Sequence, residues 1–98
     1  EILGFPGCPM TPGMERSVRA ACAAVAPDAI IVSTDLSQLS ETDQRRCWPS
    51  PTVLVDGADL FGAAPAATPA MACRVYPGGL PEEAAVRQRL EQRASEDH

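Results

Sequence analysis

Ile2-Leu3-Gly4-Phe5 is an unbroken apolar run closed by Pro6-Gly7, the pattern of a short strand buried on both faces. From Pro9 the period changes. Met14, Val18, Ala21, Cys22 and Val25 recur every three or four residues opposite Glu15, Arg16 and Arg19, which predicts an amphipathic helix to about Ala26, ended by Pro27-Asp28. Pro9 and Pro12 fall near the start of this helix, where a missing N–H costs little. Thr11 is an alternative N-cap, with Cys8 then in the preceding loop. Ala29 to Ser33 predicts a second buried strand, parallel to the first by the usual crossover. Ser40-Glu41-Thr42-Asp43 has the residue types of a helix N-terminus and predicts a short helix that stops by Cys47 to Pro49.

The second half carries different signals. Thr52 to Val55 is rich in β-formers, Asp56-Gly57 is a strong turn, and Leu60-Phe61 can return antiparallel, so a hairpin follows Pro51. Gly62 to Ala72 has neither period and reads as a loop of about a dozen residues. Met71 to Tyr76 allows one more short edge strand. Pro81 opens the last helix, with Glu82 and Glu83 in its first turn and Ala85, Val86, Arg89, Leu90 and Arg93 along it, fraying into Ser95 to His98. The whole is an α/β protein with no internal repeat, expected to form a single domain over residues 1–98.

Composition narrows the partners. A formal net charge of -5 and the absence of lysine argue against nucleic acid, whose binding draws on clustered cations. The first apolar run is too short for a signal peptide, and Phe61 to Ala72, interrupted by Pro65 and Pro69, falls short of a membrane span. A soluble protein with no membrane partner is therefore expected. The 4 cysteines sit among ordinary core periodicity and not in a disulfide framework, which favours a reducing, cytoplasmic setting.

Cys8 is the residue with the most chemistry. It stands where the first strand gives way to the helix, and unpaired N–H groups and the helix dipole at such a place favour the thiolate, the nucleophilic form. Thr11 can donate its hydroxyl to that sulfur. Cys22, fourteen residues further on the same helix, would lie about 20 Å away, beyond the roughly 7 Å Cα limit of a disulfide. Cys22 is therefore a core residue. Cys47 and Cys73 remain as partners for Cys8, and Arg74 can hold a thiolate or an anionic substrate. Trp48 is expected to pack under the proline loop and to wall a substrate groove. Asp56, Asp59, Glu82 and Glu83 read as turn and cap residues. Ligation of a metal by Cys8, Cys47 and Cys73 lacks any Cys-x-x-Cys pair, and His98 is terminal, so neither metal nor cofactor is expected.

Two separated segments resemble the thioredoxin-like superfamily. Gly7-Cys8-Pro9-Met10-Thr11 is similar to its C-x-x-C or C-x-x-S/T motif, and Ser50-Pro51-Thr52-Val53-Leu54-Val55-Asp56-Gly57 to its cis-proline segment. Within the superfamily the chain resembles small proteins with a Gly-Cys-Pro start and a Cys-Arg-x-Tyr segment, here Cys73-Arg74-Val75-Tyr76; some of these carry an alkylmercury lyase label. The resemblance implies a three-layer sandwich, a central mixed four-stranded sheet, with a fifth short strand allowed, flanked by helices. It also implies a cis Ser50–Pro51 bond whose neighbouring backbone pairs with an extended thiol substrate, with Ser50, Pro51 and Trp48 in substrate binding. Thr11 stands where the second cysteine would be, a departure from the dithiol pattern.

The leading expectation is a thiol–disulfide oxidoreductase, or single-cysteine relative, in which Cys8 forms a mixed disulfide that Cys73 or an outside thiol resolves. Its partner would be a thiol or disulfide protein or a small-molecule thiol. The alternatives are a non-catalytic binding module of the same fold, and soft-metal or organomercurial handling by Cys8 and Cys73.

Overall fold

The computed structural model describes residues 1–69, 72–76 and 78–96. Its elements run β1 (Ile2–Gly4), α1 (Thr11–Val25), β2 (Ser33–Asp35), two 3-10 turns (Leu36–Gln38 and Gln44–Cys47), β3 (Thr52–Val55), β4 (Ala58–Asp59) and α2 (Glu83–Glu96). The four strands form one mixed sheet in the order β2-β1-β3-β4. β1 is parallel to β2 and antiparallel to β3, and β3 is antiparallel to β4.

Alternation along the two central strands divides the core. Ile2 and Val53, paired across β1 and β3, face α1 and α2 in a cluster with Met14, Val18, Ala21, Cys22 and Val86. Met14, Ala21 and Val86 are fully shielded, and each large apolar side chain buried this way contributes about 1.5–3 kcal/mol. Leu3 and Leu54 point to the opposite face, under Leu36 and Trp48. β1 is thus buried on both sides, as its unbroken apolar run predicts. In the β3–β4 hairpin Val55 pairs with Ala58, leaving Asp56 and Gly57 as a two-residue loop with φ of 53° and 83°, the left-handed geometry such tight loops need.

The middle of the chain departs from expectation. Ala29 to Val32 is not a buried strand: Ile30 is 88% and Val32 50% exposed, and only Ile31 turns toward the core. The Ala29 N–H is still bonded to the carbonyl of Ala26, and the segment meets β1 first where Val32 accepts from the Ile2 N–H, so the edge strand begins at Ser33. The expected short helix after Ser40 is reduced to the single 3-10 turn Gln44–Cys47. Asp35 and Asp43 each accept from the backbone N–H two residues on, Ser37 and Arg45, and these short Asx closures favour isolated turns over a continuous helix. Both α-helices therefore lie on one face of the sheet and the 3-10 turns with Trp48 cover the other. The expected strand at Met71–Tyr76 is reduced to one parallel bridge, Ser50 to Cys73; Met71 itself lies outside the described residues, as does His98. No helix among the described residues is long and apolar enough to cross a membrane.

Candidate active site

β1 and the loop after it deliver Cys8 to the edge of α1. The Cys8 N–H bonds the carbonyl of Phe5 at 3.2 Å, and its own carbonyl accepts from Thr11 at 3.4 Å. α1 begins at Thr11 with Met10 as a cap residue that makes no side-chain bond, so Cys8 lies in the loop and Thr11 is not the N-cap. The threonine hydroxyl also meets the cis-proline segment: Thr11 Oγ1 is 3.2 Å from Ser50 Oγ. This approach requires glycine at position 4, because a Cβ there would stand 2.8 Å from both Oγ1 and Cγ2 of Thr11.

Cys8 is 5% exposed. Burial alone would raise its pKa, but hydrogen bonds from the hydroxyls of Ser50 and Thr11, the Met10 N–H and the Cys73 thiol stabilise the thiolate and bring it from 9.0 to about 7. The donors to the sulfur thus combine hydroxyls from two segments with a backbone N–H at the helix start. Cys73 moves the other way. Loss of hydration, its hydrogen bond to Cys8 and the charge there all raise its pKa, so it remains the protonated donor while Cys8 ionises. The two sulfurs form a graded pair: one thiolate and one thiol.

The Cys73 segment is pinned in place. The Ser50 N–H donates to the Ala72 carbonyl at 2.9 Å, and the Arg74 N–H to the Ser50 carbonyl at 2.6 Å. Arg74 forms a two-pronged pair with Asp59, at 2.8 and 3.0 Å, and lies 4.4 Å above the Tyr76 ring. The Asp59 side chain is wholly shielded and also accepts from the Ala63 N–H. The Tyr76 hydroxyl donates to the Pro51 carbonyl at 2.6 Å, and burial raises its pKa to about 12. Arg74 is therefore neither a ligand of the thiolate nor a free surface charge, and Asp59 is not a turn residue. Sequence reasoning misses this clamp because its members are 15 residues apart and Asp59 stands beside the Asp-Gly turn, where an acid already has an explanation.

The remaining expected site residues fall into three groups. Ser50 joins Cys8 directly and Pro51 stands next to it through a cis bond, but both are fully buried. Trp48 is 7% exposed and packs with Leu3 and Leu54; it lines a different cleft, about 810 Å³, together with Cys47. Neither lines the groove at Cys8. Cys22 is buried among α1 core residues, with its pKa raised by burial. Among the described residues no group of three or more His, Cys, Asp or Glu side chains could hold a metal ion. The opening beside Cys8 is a groove of about 350 Å³ between the β1–α1 loop and β2.

No protein-family model, curated protein or solved structure matches the chain. The site's own geometry carries the functional reading.

Proposed function

We propose that the protein is a thiol–disulfide exchange protein of thioredoxin-like architecture, with Cys8 as nucleophile and Cys73 as resolving thiol. The observation that carries this reading is the Ser50–Cys73 bridge, which sets Cys73 beside the segment that meets Cys8 and Thr11, with the two thiols shifted in acidity in opposite directions. The Cys8 thiolate attacks a disulfide RSSR, forming a Cys8–SR mixed disulfide and releasing RS⁻. Cys73 then loses its proton to the released thiolate or to water and attacks the Cys8 sulfur. The Cys8–Cys73 disulfide forms, the second RS⁻ leaves, and two electrons have passed from the protein to RSSR. An external dithiol, or two monothiols, restores the reduced pair. Thr11 and Ser50 act as donors to the thiolate and exchange no electrons.

The architectural part of the proposal is supported by the parallel β1–α1–β2 unit followed by an antiparallel hairpin and by the pairing of α1 with α2 on one face. On this reading the 3-10 turns and Trp48 are the reduced third layer. All four cysteines are free thiols, which suits a reducing compartment such as the cytoplasm. The same juxtaposed sulfurs would also suit two-coordinate capture of a soft metal or organomercurial, but no third thiol joins them. A pure binding module has in its favour only Thr11 in place of a second motif cysteine.

Peptide mapping after stoichiometric mild oxidation tests the proposal. The expected product is a single Cys8–Cys73 disulfide, with Cys22 and Cys47 still alkylatable. A product in which Cys8 pairs with Cys47, or stays reduced while Cys73 oxidises, contradicts it.

A further inference from the structure

The Ser50 edge beside Cys8 is already occupied by the chain itself. Both backbone hydrogen-bonding groups of Ser50 are used, its N–H by Ala72 and its carbonyl by Arg74. Ser50 and Pro51 are fully shielded. An extended polypeptide docking at this edge to bring its disulfide to Cys8 would use those same groups, since main-chain bonds to a strand edge hold such a segment. It could gain them only by displacing residues 72–74, which are fastened by the Arg74–Asp59 fork, by Arg74 over Tyr76, and by the Tyr76 hydroxyl on Pro51.

The approach left open is the groove of about 350 Å³, floored by Gly4 and walled by Phe5, Pro6, Cys8, Thr11 and Asp35. That is the lower end of the size of small-molecule sites. From the occupied edge and the open groove we infer that the oxidant of Cys8 is a low-molecular-weight disulfide, and that residues 72–74 act as a fixed strap excluding extended polypeptides. The strap has a second use: the segment that blocks the edge is the one that holds Cys73 against Cys8. This inference rests on the thiol-exchange reading above and adds a substrate class to it.

The test compares two probes with the same leaving group on the reduced protein: bis(2-hydroxyethyl) disulfide, and a linear octapeptide whose central cysteine is a mixed disulfide with 2-mercaptoethanol. Each rate is referred to that of free cysteine with the same probe. We expect the small disulfide to react at least about tenfold faster relative to its reference, since two backbone hydrogen bonds must be surrendered for the peptide. Equal relative rates, or a faster peptide, overturn the strap while leaving Cys8 a nucleophile. Failure of both probes overturns the strap together with the thiol-exchange reading. Tyr76→Phe supplies the second arm. Losing the bond to Pro51 should raise the peptide rate about fivefold relative to the small-disulfide rate; a parallel change in both rates contradicts the strap.

Discussion

Asp59→Ala lowers the stability of the protein by about 3–5 kcal/mol, the largest loss expected from any single substitution outside the apolar core. Its carboxylate is wholly shielded, and Arg74 opposite it is only 12% exposed. Removing the acid leaves a poorly hydrated guanidinium with no partner, and it also strips the Ala63 N–H of its acceptor. In a domain of this size the total stability is typically 5–15 kcal/mol, so Asp59→Ala consumes a large part of it. The double variant Asp59→Leu with Arg74→Met recovers most of the loss, because replacing both members of a buried pair by apolar groups removes the stranded charge. Urea unfolding midpoints measure both. A loss below about 1 kcal/mol for Asp59→Ala would mean the pair behaves as a solvent-screened surface bridge.

Cys73→Ser has the largest expected effect on chemistry. With excess bis(2-hydroxyethyl) disulfide the reduced Cys8–Cys73 pair releases two equivalents of 2-mercaptoethanol, one per exchange step, and keeps no adduct, and any adduct on the partly exposed Cys47 is counted separately by peptide mapping. Cys73→Ser releases one and retains one hydroxyethylthio group on Cys8, because the serine hydroxyl cannot displace a disulfide sulfur. The hydroxyl still serves as a donor to Cys8, so the first step keeps a rate close to that of the wild type. Intact-mass spectrometry and free-thiol release report the two stages separately. Two equivalents from Cys73→Ser would assign resolution to another thiol, and Cys47, which lines a different cleft, would be the residue to map next.

The legible parts of this protein are those whose signals are local. The unbroken run at β1, the three- and four-residue spacing of Met14, Val18, Ala21 and Cys22, and the Asp56-Gly57 turn each encode one element through sterics or burial, and each is found where the sequence puts it. The same spacing removes Cys22 from the chemistry. The sequence misleads at residues 29–32 and 40–47, because apolar content alone does not decide burial on an edge strand and because an Asx closure such as that of Asp43 favours a single turn over a propagating helix. The site was half legible. Cys8, Thr11 and Ser50 are near recognisable turns, whereas the Arg74–Asp59 fork is a long-range pairing with no periodic trace. The donors that lower the Cys8 pKa come from three separate segments, and only the fold brings them to one sulfur.

The central claim is that Cys8 is a thiolate near neutral pH because side-chain donors hold it so. At pH 7 a thiol with a pKa of about 7 is roughly half ionised, against about one part in a hundred for one at 9.0. Intrinsic nucleophilicity falls with pKa at a Brønsted slope of about 0.4–0.5, so the net gain in rate at pH 7 is about sixfold, not fiftyfold. The direct measurement is the rate of iodoacetamide alkylation of the Cys8 peptide from pH 5 to 10, read by mass spectrometry so that Cys47 and Cys73 do not contribute. The rate should rise through a midpoint near 7 and be flat above pH 8.5. A midpoint at or above the ordinary thiol value would contradict the account.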